Sequence, residues 1–311
     1  MSTRSGLVHR PCPGCTADSP TPAFSKNGFA LVHCGTCGTL YVNPIPSEAA
    51  LADFYRDSRS QRYWASTFFP AVAEARRQKI FRPRVERLQG LVEKPKNRIG
   101  TVVDVGAGSG IFLEECRAAG LGTAWRAVEP NGPLAAMCRG KGFETFQGFA
   151  GDAGADAAWA GQADLVASFE VIEHVARVDD YLRDMARLML PTGILVVSGL
   201  CGSGFDIACL QAASNAVAPP HHLNFLDRNA IGPLLLRCGL ELVSFLTPGQ
   251  LDVDIVRNKL REVPDAVQDR FVRDLALSAD DGLRAAFQRF LADYGLSSHM
   301  WLVARRARTD A

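Results

Sequence analysis

The chain has 311 residues, roughly twice the size of a typical single domain, so one elaborated domain or two modest ones are expected. Apolar residues make up 47%, charged residues 22% and aromatics 8%, which excludes a disordered, collagen-like or coiled-coil chain. Thirty-four Lys and Arg stand against 33 Asp and Glu, and the resulting charge of +1 argues against a protein that lives on the nucleic-acid backbone. The opening Met1 to Pro11 is polar and lacks the apolar core of a signal peptide, and no 18-residue apolar run suggests a membrane span. A cytoplasmic protein with no membrane partner is therefore expected. Its nine cysteines, an odd number, fit poorly with a disulfide framework, and in a reducing compartment close cysteine pairs read as metal ligands or redox groups, not structural disulfides.

Two such pairs come first. Cys12-Pro-Gly-Cys15 and Cys34-Gly-Thr-Cys37 are separated by 18 residues, the spacing of a zinc ribbon over residues 1–45. Two residues between cysteines let one tight turn aim both thiolates at a tetrahedral ion, and four thiolates close the shell, so the zinc is expected to be structural. Phe24, Phe29, Leu31 and Val32 suit a short hairpin over the site. His33 neighbours Cys34, but the cysteines already fill the shell. Residues 46–98 then read as a helical neck or cap, opened by Ser47 as helix cap. Its aromatic residues Tyr55, Tyr63, Trp64, Phe68 and Phe69 suit either a core or the roof of a pocket. Pro95-Lys-Asn-Arg98 reads as a linker.

From residue 99 to the end, apolar strands alternate with helices, the pattern of a parallel sheet with helical crossovers. Strands are expected near 101–105, 124–128, 143–147, 163–169, 193–198 and 240–246, and a last one near 299–305. Helices are expected near 110–119, 132–140, 179–190 and 227–238. Residues 249–297 read as a helical insertion, with helices at 265–277 and 281–294, and Gly249 to Asp254 as a segment beside an acceptor pocket. Arg305, Arg306 and Arg308 read as a solvated end. Cys116, Cys138, Cys201, Cys209 and Cys238 read as small core residues.

The most informative stretch is Val102-Val-Asp-Val-Gly-Ala-Gly-Ser-Gly110. Its glycines are spaced G-x-G-x-G, unlike a dinucleotide fingerprint or a P-loop. Asp104 at the strand end would repel a pyrophosphate and suits a cationic ligand. Glu129 ends the next strand, 25 residues beyond Asp104, where an acidic side chain accepts hydrogen bonds from ribose hydroxyls. A nucleoside with an amino-acid tail and no phosphates, such as S-adenosylmethionine, fits both. With Asp104, Gly106, Gly108 and Gly110 matching D/E-x-G-x-G-x-G, the sequence resembles the class I S-adenosylmethionine-dependent methyltransferases. The resemblance implies an α/β, Rossmann-like fold with a mostly parallel seven-stranded sheet, to which the ribbon and helical additions attach. It also implies cofactor contacts from Asp104, Gly106, Ala107, Gly108, Glu129 and Pro130, with the adenine near Gln147 to Asp152. Ser168-Phe-Glu-Val-Ile-Glu-His-Val175 resembles a stretch of the family's small-molecule branch and implies that Phe169 and Glu170 border the methionine part. Glu173 and His174 suit a helix start, the acid offsetting the dipole and the histidine serving structure.

Pro219-Pro-His-His-Leu-Asn-Phe-Leu226 follows the fifth strand, at the edge where ligands bind in open α/β sheets. It resembles the Y-x-E-H-x-x-Y/F segment of bacterial sugar C-methyltransferases, with His222 on the histidine. His221 replaces the glutamate and Pro219 the tyrosine, so enolisation of a ketosugar does not transfer. His222, with His221 beside it, is expected as base or acceptor-orienting group; capping of the next helix or bonding to backbone is the alternative role. The ribbon, from Gly28 to Pro46, resembles the opening of bacterial methyltransferases of glycan and natural-product pathways. The resulting expectation is methyl transfer to oxygen or carbon of a small-molecule acceptor, such as a sugar or glycan precursor or a natural product, with nucleic acid not an expected partner. An RNA methyltransferase gripping its substrate through the ribbon and a non-catalytic cofactor-binding scaffold are the alternatives.

Overall fold

The computed structural model describes residues 6–57, 69–92 and 99–307. Tyr63, Trp64, Phe68, the 95–98 linker, Arg308 and the side chains of Tyr55 and Phe69 lie outside that description. Two compact units are present: one holds Glu48–Phe169, Asp180–Val196 and the chain from Ala304 on, the other the N-terminal stretch through Ser47, Glu170–Asp179 and Val197–Val303. None of the described helices is long and apolar enough to cross a membrane.

The N-terminal stretch forms five short strands, β1 (Leu7–Val8), β2 (Pro20–Lys26), β3 (Phe29–Cys34), β4 (Leu40–Val42) and β5 (Ile45–Pro46). β2 and β3 make the expected hairpin, turning through Asn27-Gly28, both at positive φ, as a two-residue turn matched to strand twist requires. Helices follow at Glu48–Asp57 and, on either side of a π-helical turn at Arg77–Phe81, at Phe69–Arg76 and Arg82–Val92.

The remaining strands are β6 (Thr101–Val105), β7 (Ala124–Val128), β8 (Glu144–Phe146), β9 (Ala163–Phe169), β10 (Met189–Leu200), β11 (Asn224–Phe225), β12 (Leu240–Leu246) and β13 (His299–Arg306). Seven of them form one sheet in the order β12-β13-β10-β9-β6-β7-β8. β6 runs parallel to both β7 and β9, and β7 to β8, as alternation with helices dictates. Val102, Val103 and Val105 are buried, the near-continuous apolar pattern of a strand covered on both faces. Helices at Ile111–Ala118 and Gly132–Gly140 follow β6 and β7, the latter capped by the Asn131 side chain, which accepts from Leu134 N at 3.1 Å.

Several expectations need correction. β10 is longer than expected: it begins at Met189, directly after the Val178–Leu188 helix ends, and runs through the exposed Pro191 and Thr192 into the buried stretch Leu195–Leu200. Glu173 and His174 do not begin that helix; they lie in a turn closed by His174 N–H to Val171 O at 2.8 Å. Asp252–Glu262 forms a helix whose charge-rich sequence masks the buried row Val253, Val256 and Leu260. The Asp252 carboxylate accepts from Ser297 Oγ, Ser298 N and Gln288 Nε2 at 2.7–2.8 Å. Arg306 is not a solvated end, since its Nη2 donates to Ala186 O and Met189 O at 2.6 and 3.0 Å.

The ribbon is stitched into the rest of its own unit. β11 extends the hairpin sheet, giving the order β11-β4-β3-β2. Arg237, in the Arg228–Arg237 helix, holds Asp179 through two 2.7 Å bonds and donates to Gly14 O and Pro13 O in the first cysteine knuckle. The buried Asn224 amide donates to Ile172 O and Val175 O at 2.9 and 2.8 Å. Replacing Asn224 by Ala leaves both carbonyls without these partners, and urea denaturation should show a loss of about 2–6 kcal/mol, at roughly 1–3 kcal/mol per unmet buried group.

Candidate active site

Asp104 is the penultimate residue of β6 and is paired in register with Ala127 on β7 and Ala167 on β9, two small residues that leave room at the strand ends. Beyond it the chain turns through Gly106, Gly108 and Gly110, all at positive φ, and Gly106 N–H is held by Val128 O at 2.8 Å. A Cβ at Gly110 would sit 3.2 Å from Cys138 Sγ, so this glycine serves packing. A Cβ on Gly108 would meet nothing within 4 Å, so the middle of the loop faces open space. Ala107 closes the turn, its carbonyl accepting from Gly110 N at 2.9 Å.

Glu129 reaches back to this loop. Its Oε2 accepts from Gly108 N at 2.8 Å and its Oε1 from Asn131 N at 2.9 Å, fixing the carboxylate across the Pro130 corner. Each oxygen keeps a second lone pair for a further donor. Burial pushes the Asp104 carboxyl up to about 8, aided by the Glu129 charge and opposed by Arg84. Burial raises Glu129 to about 7 against its two backbone N–H bonds. Two buried acids that resist ionisation are poised for a ligand carrying positive charge and hydroxyl donors. Phe169, at the end of β9, packs edge-on to Phe112 at 4.8 Å, with the Arg84 guanidinium 4.5 Å above its ring. Arg84 was not expected, since nothing in its helical stretch marks it out from neighbouring arginines. Of the Gln147–Asp152 segment, Gln147 accepts from Arg139 and Asp152 from Phe149 N.

The other unit holds the histidines. Glu170 adopts a left-handed φ of 56°, which a non-glycine side chain tolerates only under strong restraint. The restraint is visible: its N–H meets Ser198 O at 3.1 Å, Ser198 Oγ donates to its carboxylate at 2.6 Å, and His299 Nδ1 lies 3.7 Å from the other oxygen. Three residues on, Glu173 and His174 meet His222, and the imidazoles of His174 and His222 stand edge to face at 4.8 Å. His174 donates Nδ1–H to His221 O at 2.8 Å, and His222 donates Nδ1–H to Ala216 O. Each neutral ring therefore keeps its Nε2 lone pair. Burial and the neighbouring His222 push His174 down to about 3, and burial also lowers His221 and His222. His221 thus contributes its carbonyl to the arrangement, while His222 carries the available nitrogen. His222 does cap nothing here; the Arg228–Arg237 helix is capped by Asp227.

The four N-terminal cysteines converge. Their sulfurs all lie within 4.8 Å of one another, with Cys12–Cys37 at 3.6 Å and Cys15–Cys34 at 3.5 Å. Tetrahedral zinc with Zn–S bonds of about 2.3 Å places sulfurs roughly 3.8 Å apart, so the set fits such an ion. Gly14 N–H points at Cys12 Sγ, and backbone and Ser19 hydrogen bonds draw the Cys34 thiol down to about 6 against its burial. His33 is exposed and takes no part.

A family model described as a methyltransferase domain matches residues 73–245, just over half of the chain. Comparison with curated proteins finds no match. Among solved structures, the chain is similar to a SAM-dependent methyltransferase from Archaeoglobus fulgidus, at 15% identity and a TM-score of 0.51 over 78% of this chain and 100% of that one. It is also similar to a chain in the complex of the Haloferax volcanii Trm112 methyltransferase activator with a methyltransferase, at 14% identity and a TM-score of 0.52 over 79% of this chain and 96% of that one.

Asp104 and Glu129 keep protons in the folded ligand-free protein that the unfolded chain releases above about pH 4, so their contribution to stability is lost as pH rises through about 7 and about 8. Thermal unfolding across that range should show a falling Tm, and Asp104→Asn, which has no charge to bury, should flatten the fall.

Proposed function

The chain belongs to the methyltransferase-domain family, and from that premise we propose that it moves a methyl group from S-adenosylmethionine to oxygen or carbon of a small-molecule acceptor, such as a sugar or glycan precursor or a natural product. The observation that carries this reading is the buried acid pair Asp104 and Glu129 around a glycine loop whose Gly108 faces open space. When bound, S-adenosylmethionine supplies an electrophilic methyl on a sulfonium; transfer is an in-line displacement that needs alignment of the acceptor and removal of its proton.

The protein's own residues divide that work. Glu129, oriented by Gly108 N and Asn131 N, offers its remaining lone pairs to the two ribose hydroxyls. Asp104 ionises against the positive amino-acid end, which offsets the cost of its burial. Gly106, Ala107 and Gly108 let the backbone approach the ligand, Phe169 and Glu170 border its methionine part, and Arg84 is a counter-charge for its carboxylate. His222 is the acceptor-activating residue, its Nε2 lone pair kept available by the Nδ1–H bond to Ala216 O. Zinc in Cys12, Cys15, Cys34 and Cys37 is structural, because four thiolates leave no open position. A net charge of +1 favours a small acceptor over RNA.

Calorimetry with S-adenosylhomocysteine should show affinity at least tenfold weaker in Asp104→Asn and Glu129→Gln; unchanged affinity in both would refute the cofactor assignment. Labelled methyl should pass from S-adenosylmethionine into the low-molecular-weight fraction of a cell extract, and label found only in RNA would sink the small-molecule reading. His222→Ala should cut that transfer at least a hundredfold while leaving S-adenosylhomocysteine affinity within about twofold, the expected scale for loss of an acid-base group. Metal analysis should find zinc on the ribbon, and substitution of Cys12 with Cys37 by Ser should release it with loss of stability.

A further inference from the structure

The histidine unit contains a second ligand set besides the four cysteines. One carboxylate oxygen of Glu173 and one ring nitrogen each of His174 and His222 all lie within 4.8 Å of one another. Three features make this more than proximity. First, both imidazoles donate Nδ1–H to a backbone carbonyl, His221 O for His174 and Ala216 O for His222, so in each neutral ring Nε2 is the unprotonated nitrogen. Outer-shell bonds of this kind orient metal-binding histidines and fix their tautomer. Second, the two segments carrying the ligands are locked together. Leu223 N and Asn224 N donate to Glu173 O at 2.7 and 3.2 Å, and the Asn224 side chain holds the carbonyls on either side of the Glu173–His174 turn. Third, space is kept beside the carboxylate. A Cβ at Gly199 would come within 3.0 Å of Glu173 Oε2 and 2.5 Å of Ile172 Cγ2, so a larger residue there would press on the Glu173 side chain.

We propose that Glu173, His174 and His222 bind a divalent first-row transition ion in a two-histidine, one-carboxylate site. Mixed nitrogen and oxygen donors suit zinc, iron, manganese or cobalt, and three protein ligands leave positions open to an oxygen ligand. Glu170, held by Ser198 Oγ–H, adds a second negative charge close to the rings of His174 and His222. The inference rests on the assignment of His222 as the acceptor-activating residue and says how it acts. With the ion bound, His222 is a ligand, and an acceptor hydroxyl on the ion loses its proton more readily because the ion stabilises the alkoxide.

Cobalt(II) is the probe, added to full-length protein whose cysteine site is kept loaded with zinc. Visible absorption should show one saturable cobalt per chain without thiolate charge transfer, and Glu173→Gln and His222→Asn should each weaken it at least tenfold. His222→Asn keeps the test open should Glu173→Gln fail to fold, since His222 is the less buried of the two. Absence of such absorption, or cobalt affinity unchanged from the parent protein in both variants, would overturn the proposal. If cobalt does not bind and His222→Ala still abolishes transfer, the metal site is wrong and direct proton removal by His222 stands. If cobalt binds while S-adenosylhomocysteine does not, the metal site stands and the methyltransferase reading fails.

Discussion

One residue, Leu223, ties together everything on the histidine side of this protein. Its N–H donates to Glu173 O, and its carbonyl accepts from Val42 N at 2.9 Å and from Arg10 Nη2 at 2.9 Å. The same residue thus joins the ribbon, the turn that carries Glu173 and His174, and the segment that carries His222. Arg10 extends the tie, since its other nitrogens reach Val42 O and Ala176 O. Burial lowers the Arg10 guanidinium to about 10, which leaves it charged at neutral pH and able to make four charge-assisted bonds to three backbone carbonyls. A ribbon that merely decorated the chain would not need a half-buried arginine bonded to Ala176 and Leu223.

This arrangement gives the cysteine site a consequence beyond its own fold. A two-turn cysteine knuckle without metal has little to hold it, because metal binding supplies most of the free energy of such modules. Here the knuckle touches the Arg228–Arg237 helix through Arg237 and Ala230, and the strand leading from it pairs with Asn224 and Phe225. Order in the ribbon therefore passes by hydrogen bonds to the backbone that positions His222. The side that carries Asp104 and Glu129 needs no such support: β6, β7 and the glycine loop are secured by sheet register, by Glu129, and by bonds that join Val128, Cys138 and Lys141 to the loop.

What could be read in the sequence follows from the range of the forces involved. The β6 strand, glycine loop and Asp104 were legible because a tight turn, its glycines and the adjoining acid are consecutive. The hairpin and cysteine pairs were legible because Asn27-Gly28 and the C-x-x-C spacing encode geometry locally. Glu173 and His174 were not, because their partner His222 lies 48 residues beyond His174 and meets them through the Leu223 and Asn224 bonds and the His174 bond to His221 O. A helix start there was the natural local reading, and tertiary bonding to a turn prevailed. Likewise, nothing in the run of arginines at 76–87 distinguishes Arg84, whose place over Phe169 is a product of helix packing. The Asp252 helix was hidden by charge, since Asp252 is satisfied by serines 45 and 46 residues away.

The most direct test is hydrogen exchange of the full chain, zinc-loaded and after chelation. Chelation should speed exchange at Val42, His174, Leu223 and Asn224, with Gly106 and Glu129 unchanged and still protected by added S-adenosylhomocysteine. Metal removal that exposed only the Cys12 to Cys37 segment, leaving His174 and Leu223 as slow as before, would contradict the tie through Leu223.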